Sequence, residues 1–161
     1  MQLLSHRLCI RDIYPTDQEA YFQLYSHPDV AKYDDFEPIT RDDLEVDMVR
    51  IAAYQSDSLN REYAVALLEN NWMMGVLTLD MRRKYCYLGY HFHPAYQGKG
   101  YAIEAVQFFL SSQPDSFQSI VRLLIDPENA PSIRLAEKIG FLKIKSQKKK
   151  LVREWVYALK Y

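Results

Sequence analysis

The stretch from Gly89 to Val106, Gly-Tyr-His-Phe-His-Pro-Ala-Tyr-Gln-Gly-Lys-Gly-Tyr-Ala-Ile-Glu-Ala-Val, constrains this chain more than any other. The run into it, Tyr85 to His93, is extended, rich in aromatic residues and closed by Pro94. From about Lys99 the pattern changes to a helix, with Ile103, Val106, Phe109 and Leu110 at core-facing spacing. Gln97, Gly98, Lys99 and Gly100 lie between, so a strand feeds a glycine-containing turn that opens a helix. Unpaired N–H groups at such a helix start, with the positive end of the dipole, suit a phosphate or pyrophosphate. Glycines there let the anion approach without a Cβ in the way. On local pattern alone, a plain loop with two glycines is the competing reading.

Around this stretch the spacing predicts a mixed sheet. Arg7 to Ile13 alternates apolar and charged residues as a first strand, and Pro15-Thr16-Asp17 starts a helix through about Tyr25. His27-Pro28-Asp29 breaks it, with a short helical turn at Val30 to Tyr33. Thr40 with Asp43 signals an N-cap, followed by a helix face of Leu44, Met48, Ile51 and Ala52. Tyr63 to Glu69 and Met73 to Met81 form a hairpin about Asn70-Asn71, and Tyr85 to Phe92 continues the meander. After the central helix come a buried strand, Ser119 to Ile125, and a helix from about Pro131 that stops at Gly140. Phe141 to Ser146 and Val152 to Tyr161 complete the set. The result is an α/β architecture with helices on both faces of the sheet, in one domain over residues 1–161.

Composition removes several function classes. The formal net charge of −1 over 161 residues argues against a dedicated nucleic-acid binder. No apolar run approaches the roughly 18 residues of a membrane span, and Met-Gln-Leu-Leu-Ser-His-Arg lacks a signal-peptide core, so the expected location is cytoplasmic. Cys9 and Cys86 are expected as buried free thiols, too few for a disulfide framework or a zinc site, and no metal is expected. The basic run Lys143, Lys145, Lys148, Lys149, Lys150 and Arg153 reads as a solvated hairpin, with contact to a cofactor's ribose phosphate or to an acidic macromolecule as the alternative. The acidic run from Asp29 to Asp47 reads mostly as helix surface, or as a rim that attracts a cationic amine.

Two segments together resemble the GCN5-related N-acetyltransferase (GNAT) superfamily. Gln97-Gly98-Lys99-Gly100-Tyr101-Ala102 is similar to its acetyl-CoA loop, Gln/Arg-x-x-Gly-x-Gly/Ala, and Asn129-Ala-Pro-Ser-Ile-Arg-Leu-Ala-Glu-Lys-Ile-Gly-Phe141 resembles its second cofactor segment. Arg-Leu-Cys-Ile-Arg near the start and His-Pro-Asp-Val-Ala-Lys-Tyr resemble the branch named for ribosomal-protein N-terminal acetyltransferases. The resemblance implies a mainly antiparallel sheet splayed between its fourth and fifth strands, where acetyl-CoA enters. It implies that backbone N–H groups of Gln97, Gly98, Lys99, Gly100, Tyr101 and Ala102 hold the pyrophosphate. The main chain around Phe92 and His93 would pair with pantetheine and polarise the thioester carbonyl, and Asn129 would bond the pantetheine or the strand end. The acceptor would be a protein or peptide N-terminus or a small amine, and homodimers are frequent in that branch.

Acetyl transfer to an amine needs a neutral nitrogen, a stabilised oxyanion and a proton for the departing thiolate. Many superfamily members carry a tyrosine in the second segment as that acid; here the position is Ala136. Ser132, one turn earlier, is the expected substitute, with helix capping or a pantetheine bond as its alternative. His91 and His93, two apart on the cofactor strand and so on one side, are the candidate bases. Glu62, Asp80 and Glu154 are further carboxylates without a spacing reason. An α-amine of pKa about 7.7–8 is roughly a tenth neutral at pH 7, and a lysine amine below about a thousandth, which favours a low-pKa amine at a site without a strong base. Ala136 leaves open a non-catalytic acyl-CoA-binding or sensor protein that keeps the fold.

Overall fold

Strand residues two apart face one side of a sheet, and along this chain both sides are apolar. Leu8, Ile10, Tyr63, Val65, Leu77, Leu88 and Phe92 enter one core, and Ala64, Met73 and Val76 enter another. A sheet buried on both faces needs a helical layer on each. The computed structural model describes residues 2–56, 60–149 and 152–160.

In chain order the elements are β1 (Gln2–Leu4), β2 (Leu8–Asp12), a 3-10 turn Pro15–Asp17, α1 (Gln18–Tyr25), α2 (Pro28–Ala31) and α3 (Arg41–Ser56). Next come β3 (Asn60–Leu67), β4 (Met73–Arg82), β5 (Tyr85–Phe92), a second 3-10 turn Pro94–Tyr96 and α4 (Tyr101–Ser111). The chain ends with α5 (Asp115–Ile120), β6 (Val121–Ile125), α6 (Ala130–Ile139), β7 (Phe141–Lys149) and β8 (Val152–Leu159). The strands lie in the order β1-β2-β3-β4-β5-β6-β8-β7, and every neighbouring pair is antiparallel except β5 with β6. Helices α4 and α6 cover the first core through Ala105, Val106, Phe109 and Ala136; α1, α2 and α3 cover the second through Leu24, Val30, Leu44 and Ile51.

Local chemistry sets the ends. Thr40 and Asp43 form a reciprocal box, Thr40 N–H donating to Asp43 Oδ2 at 2.8 Å and Asp43 N–H to Thr40 Oγ1 at 3.3 Å. Helix α6 begins at Asn129, whose Oδ1 accepts from Ser132 N–H at 3.3 Å, and stops at Gly140 with φ +107°. Two expectations change. The three-residue strand β1 precedes the expected first strand, so the splay counted between strands four and five falls between β5 and β6. Ser119 and Ile120 end helix α5 rather than opening the strand, which starts at Val121. Cys9 and Cys86 are buried free thiols, and burial pushes the Cys86 thiol up to about 11. Lys150 and Tyr161 lie outside the described residues.

Candidate active site

Strands β5 and β6 run parallel, with register pairs only at Cys86↔Val121 and Tyr87↔Arg122 among the described residues. Beyond Tyr87 they diverge, and a cleft of about 510 Å³ opens at the divergence. Its walls include His91 and Phe92 of β5, Gln97, Gly98, Gly100, Tyr101 and Ala102 of the following turn and helix, and Asn129 and Ser132 of α6. Of the expected site residues, Lys99 and His93 fall outside this lining. Lys99 Nζ turns back to the Ala95 carbonyl at 3.0 Å.

The glycine turn has the geometry of an anion cradle. Gly98 and Gly100 sit at φ +74° and +79°, a region costly for a side-chain-bearing residue. Gly100 is the N-cap of α4 and no side chain caps that helix start, so the first-turn N–H groups are left for another partner. Gln97 Nε2 donates to the Phe92 carbonyl at 2.9 Å, tying the turn to the end of β5.

The β5 backbone shows which donor faces the cleft. His93 N–H is engaged by the Met74 carbonyl at 2.9 Å. Antiparallel alternation then turns the Phe92 N–H and carbonyl to the opposite edge, toward β6. Of the pair expected to meet the thioester, Phe92 therefore has the free-edge donor, while His93 is tied into the β4 ladder.

His91 lies on β5 and His93 one residue past its end; their rings meet Tyr25 and His27 respectively, and each is engaged. His91 Nε2 is 3.1 Å from Asp34 Oδ2, and its Nδ1 is 3.3 Å from Tyr25 OH. A carboxylate only accepts, so the neutral ring places its hydrogen on Nε2 and Nδ1 accepts from the phenol. Phe36 packs edge-on against the same ring. Burial raises the Tyr25 phenol well above its ordinary value, keeping it a donor. His93 Nδ1 accepts the Ala95 N–H at 3.2 Å, capping the 3-10 turn ahead of Gly98, and its ring meets His27 edge-on. Burial and the neighbouring His27 lower the His93 pKa.

Near the N-terminal end of α6, Tyr90 OH donates to the Ser132 carbonyl at 3.5 Å, and burial pushes that phenol up to about 12. Ser132 lines the cleft half-buried, whereas Ala136 is fully buried and contributes to the core. The spare carboxylates have other partners: Glu62 pairs with Arg50, Asp80 with Arg82, and Glu154 accepts from Gln147. Lys143 of the basic hairpin stacks on the Trp155 ring. Asp34 was expected only as one carboxylate of the acidic run, and Tyr25 and Tyr90 were not singled out, because only folding brings α1, the segment after α2 and β5 together.

Residues 7–142 match the family model described as an acetyltransferase (GNAT) domain. An uncharacterized N-acetyltransferase, p20, of Bacillus licheniformis is 27% identical over 158 residues, covering 95% of this chain and 86% of that one. The crystal structure of a GNAT-family acetyltransferase from Bacillus anthracis superposes with a TM-score of 0.82 at 27% identity, over 98% of this chain and 96% of that one. The spermidine N-acetyltransferase of Vibrio cholerae, solved with CoA and spermine, shares the fold with a TM-score of 0.76 at 18% identity, over 96% of each chain.

Proposed function

Because this chain belongs to the GNAT acetyltransferase family and is an N-acetyltransferase, we propose that it passes the acetyl group of acetyl-CoA directly to a primary amine in a ternary complex. The observation that carries the reading is a single cleft with an uncapped, glycine-opened helix start in its wall and a histidine-braced carboxylate, Asp34, in the same lining. The fold neighbour from Vibrio cholerae, solved with CoA and spermine, supports the same pairing of cofactor and cationic amine.

In this reading the N–H groups of the Gln97–Ala102 segment hold the pyrophosphate, and the Phe92 N–H points at the thioester oxygen, where negative charge builds. Asn129 acts through the start of α6, which it caps. The acceptor ammonium docks on Asp34; His91 fixes that carboxylate, and His93 fixes the turn that leads into the loop. After one proton leaves to water, the neutral nitrogen attacks the carbonyl carbon. The C–N bond forms, the C–S bond breaks, and its electron pair stays on sulfur. The sulfur takes a proton from the Ser132 hydroxyl, beside Tyr90 at the positive end of α6, and the second proton that the nitrogen sheds on becoming an amide returns through water to the serine oxygen. The acceptor is a peptide N-terminus or a small cationic amine.

The test is CoA thiol release from acetyl-CoA against peptide N-termini, polyamines and aminoglycosides. Turnover with a cationic acceptor, with KM for that acceptor raised by Asp34→Asn, is the expected result. CoA binding with no turnover across the panel would replace this reading by that of an acyl-CoA sensor.

A further inference from the structure

We infer that Arg7 is a positioning residue for the glycine loop: it holds the Lys99 carbonyl at the back of the loop and so turns the Gly100 N–H into the cleft. The inference rests on the loop binding the pyrophosphate, as proposed above.

Arg7 lies in the turn between β1 and β2, more than ninety positions from the loop it meets. Its Nη1 donates to the Lys99 carbonyl at 3.0 Å, and its guanidinium carbon lies 4.4 Å from the centre of the Tyr101 ring. Its Nη2 stands 3.5 Å from where a Cβ on Gly100 would sit. A second donor anchors the arm: Arg7 Nε donates to Glu104 Oε2 at 2.7 Å, and Arg7 N–H and Ser5 Oγ donate to Glu104 Oε1 at 3.0 and 2.8 Å. Burial opposes the charge on Glu104, yet the hydrogen bonds from Ser5 and Arg7 hold its carboxyl below the usual range. Glu104 stands in the first turn of α4, so the clamp is fixed to the helix whose start it organises.

The peptide plane makes this contact functional. In a trans peptide the carbonyl and the following N–H point in opposite directions, and no cis bonds occur among the described residues. With the Lys99 oxygen held by Arg7, the Gly100 hydrogen faces away from Arg7, toward the cleft that Gly100 also lines. Without that hold the 99–100 peptide is easily turned, because Gly100 accepts either sign of φ at little cost. The guanidinium therefore keeps the loop in its anion-binding state before any ligand arrives.

S-Acetyl-pantetheine provides the test, because it carries the thioester but no pyrophosphate. In the wild type, kcat/KM is expected to be higher for acetyl-CoA than for acetyl-pantetheine. Arg7→Met should shrink that ratio about tenfold, the worth of one charge-assisted hydrogen bond, with kcat/KM for acetyl-pantetheine unchanged. Arg7→Lys, which keeps the charge but not the fork that spans Lys99 and Glu104, should fall between; it also serves if the Met variant folds poorly by its urea midpoint. An equal loss with both thioesters, or an unchanged ratio in both variants, would overturn the assignment. A wild type that does not distinguish the two thioesters would instead remove the pyrophosphate reading of the loop.

Discussion

Three glycines with positive φ allow the cost of a backbone conformation to be separated from the cost of blocking a ligand. Gly98, Gly100 and Gly140 sit at φ +74°, +79° and +107°. A Cβ added at Gly98 or Gly140 meets nothing within 4 Å, and one at Gly100 meets only Arg7 Nη2 at 3.5 Å, an ordinary contact. No clash therefore contributes, and alanine at each position costs the left-handed penalty of about 1–2 kcal/mol. The narrower unfolded ensemble of alanine offsets about 0.4–1 kcal/mol of that. All three variants should lose stability by a similar small amount, a few degrees in Tm for a chain of this size. Cofactor affinity should divide them. Gly98 and Gly100 line the cleft and Gly140 does not. Each backbone donor to phosphate lost behind a new methyl group is worth about 1.5–3 kcal/mol, roughly 10- to 150-fold in KM for acetyl-CoA. Urea melts and initial rates on the three purified variants measure both quantities. If Gly140→Ala raised KM as much as the other two, or if Gly98→Ala and Gly100→Ala lost stability with KM unmoved, the cradle would be refuted.

Two further predictions concern the scaffold. Arg11 and Asp17 form a buried, bidentate pair at 2.7 and 3.0 Å, so Asp17→Asn should cost about 3–5 kcal/mol in urea melts by leaving the guanidinium uncompensated. Replacing both residues by apolar ones should recover most of that loss. Because the folded state lowers the His93 pKa, the unfolded chain binds that proton more tightly. Its contribution to stability is present above about pH 6.5 and lost as pH falls through the lower folded value. His93→Asn, whose side-chain oxygen still caps the Ala95 N–H, should therefore flatten the fall in urea midpoint between neutral and mildly acidic pH.

Features written in short spacings were legible in the sequence. The Gly98–Gly100 turn, the Thr40–Asp43 cap and the Asn129 to Gly140 helix each depend on residues a few positions apart, and each forms where expected. β1 was not legible, because its edge carries only three residues, Gln2 and Leu4 exposed, and no alternation longer than that. Helix α5 was not expected, and its last residue, Ile120, was read as strand because it continues the apolar run of β6. In the site, the residue types were readable and their partners were not. His91 stood out as a titratable group on the right strand, yet its engagement by Tyr25 and Asp34 depends on contacts spanning more than fifty residues. Arg7 stood in the sequence only as the opening residue of Arg-Leu-Cys-Ile-Arg, with no sign of its contact, which lies in a loop contributed by the middle of the chain.

The divergence of β5 from β6 leaves an edge in the interior of a sheet. Ordinary edge strands lie at the rim, where any passing strand can add to them. Here the edge of β5 beyond Tyr87 stands inside a wedge whose other side is β6, held at its narrow end by two register pairs among the described residues. A polypeptide strand carries side chains on both faces and would have to fit them against the packed layers of α4 and α6. In the reading proposed above, a pantetheine arm, whose two amides are flanked by methylenes and whose only branches are one hydroxyl and one gem-dimethyl group, would enter as a narrow strand. The same opening that would invite aggregation at the rim would then act, at the centre, as a filter for a narrow backbone-like chain. In that reading, the chain would bridge the β1–β5 and β6–β8 halves, and the co-substrate would stabilise the fold in proportion to its own affinity.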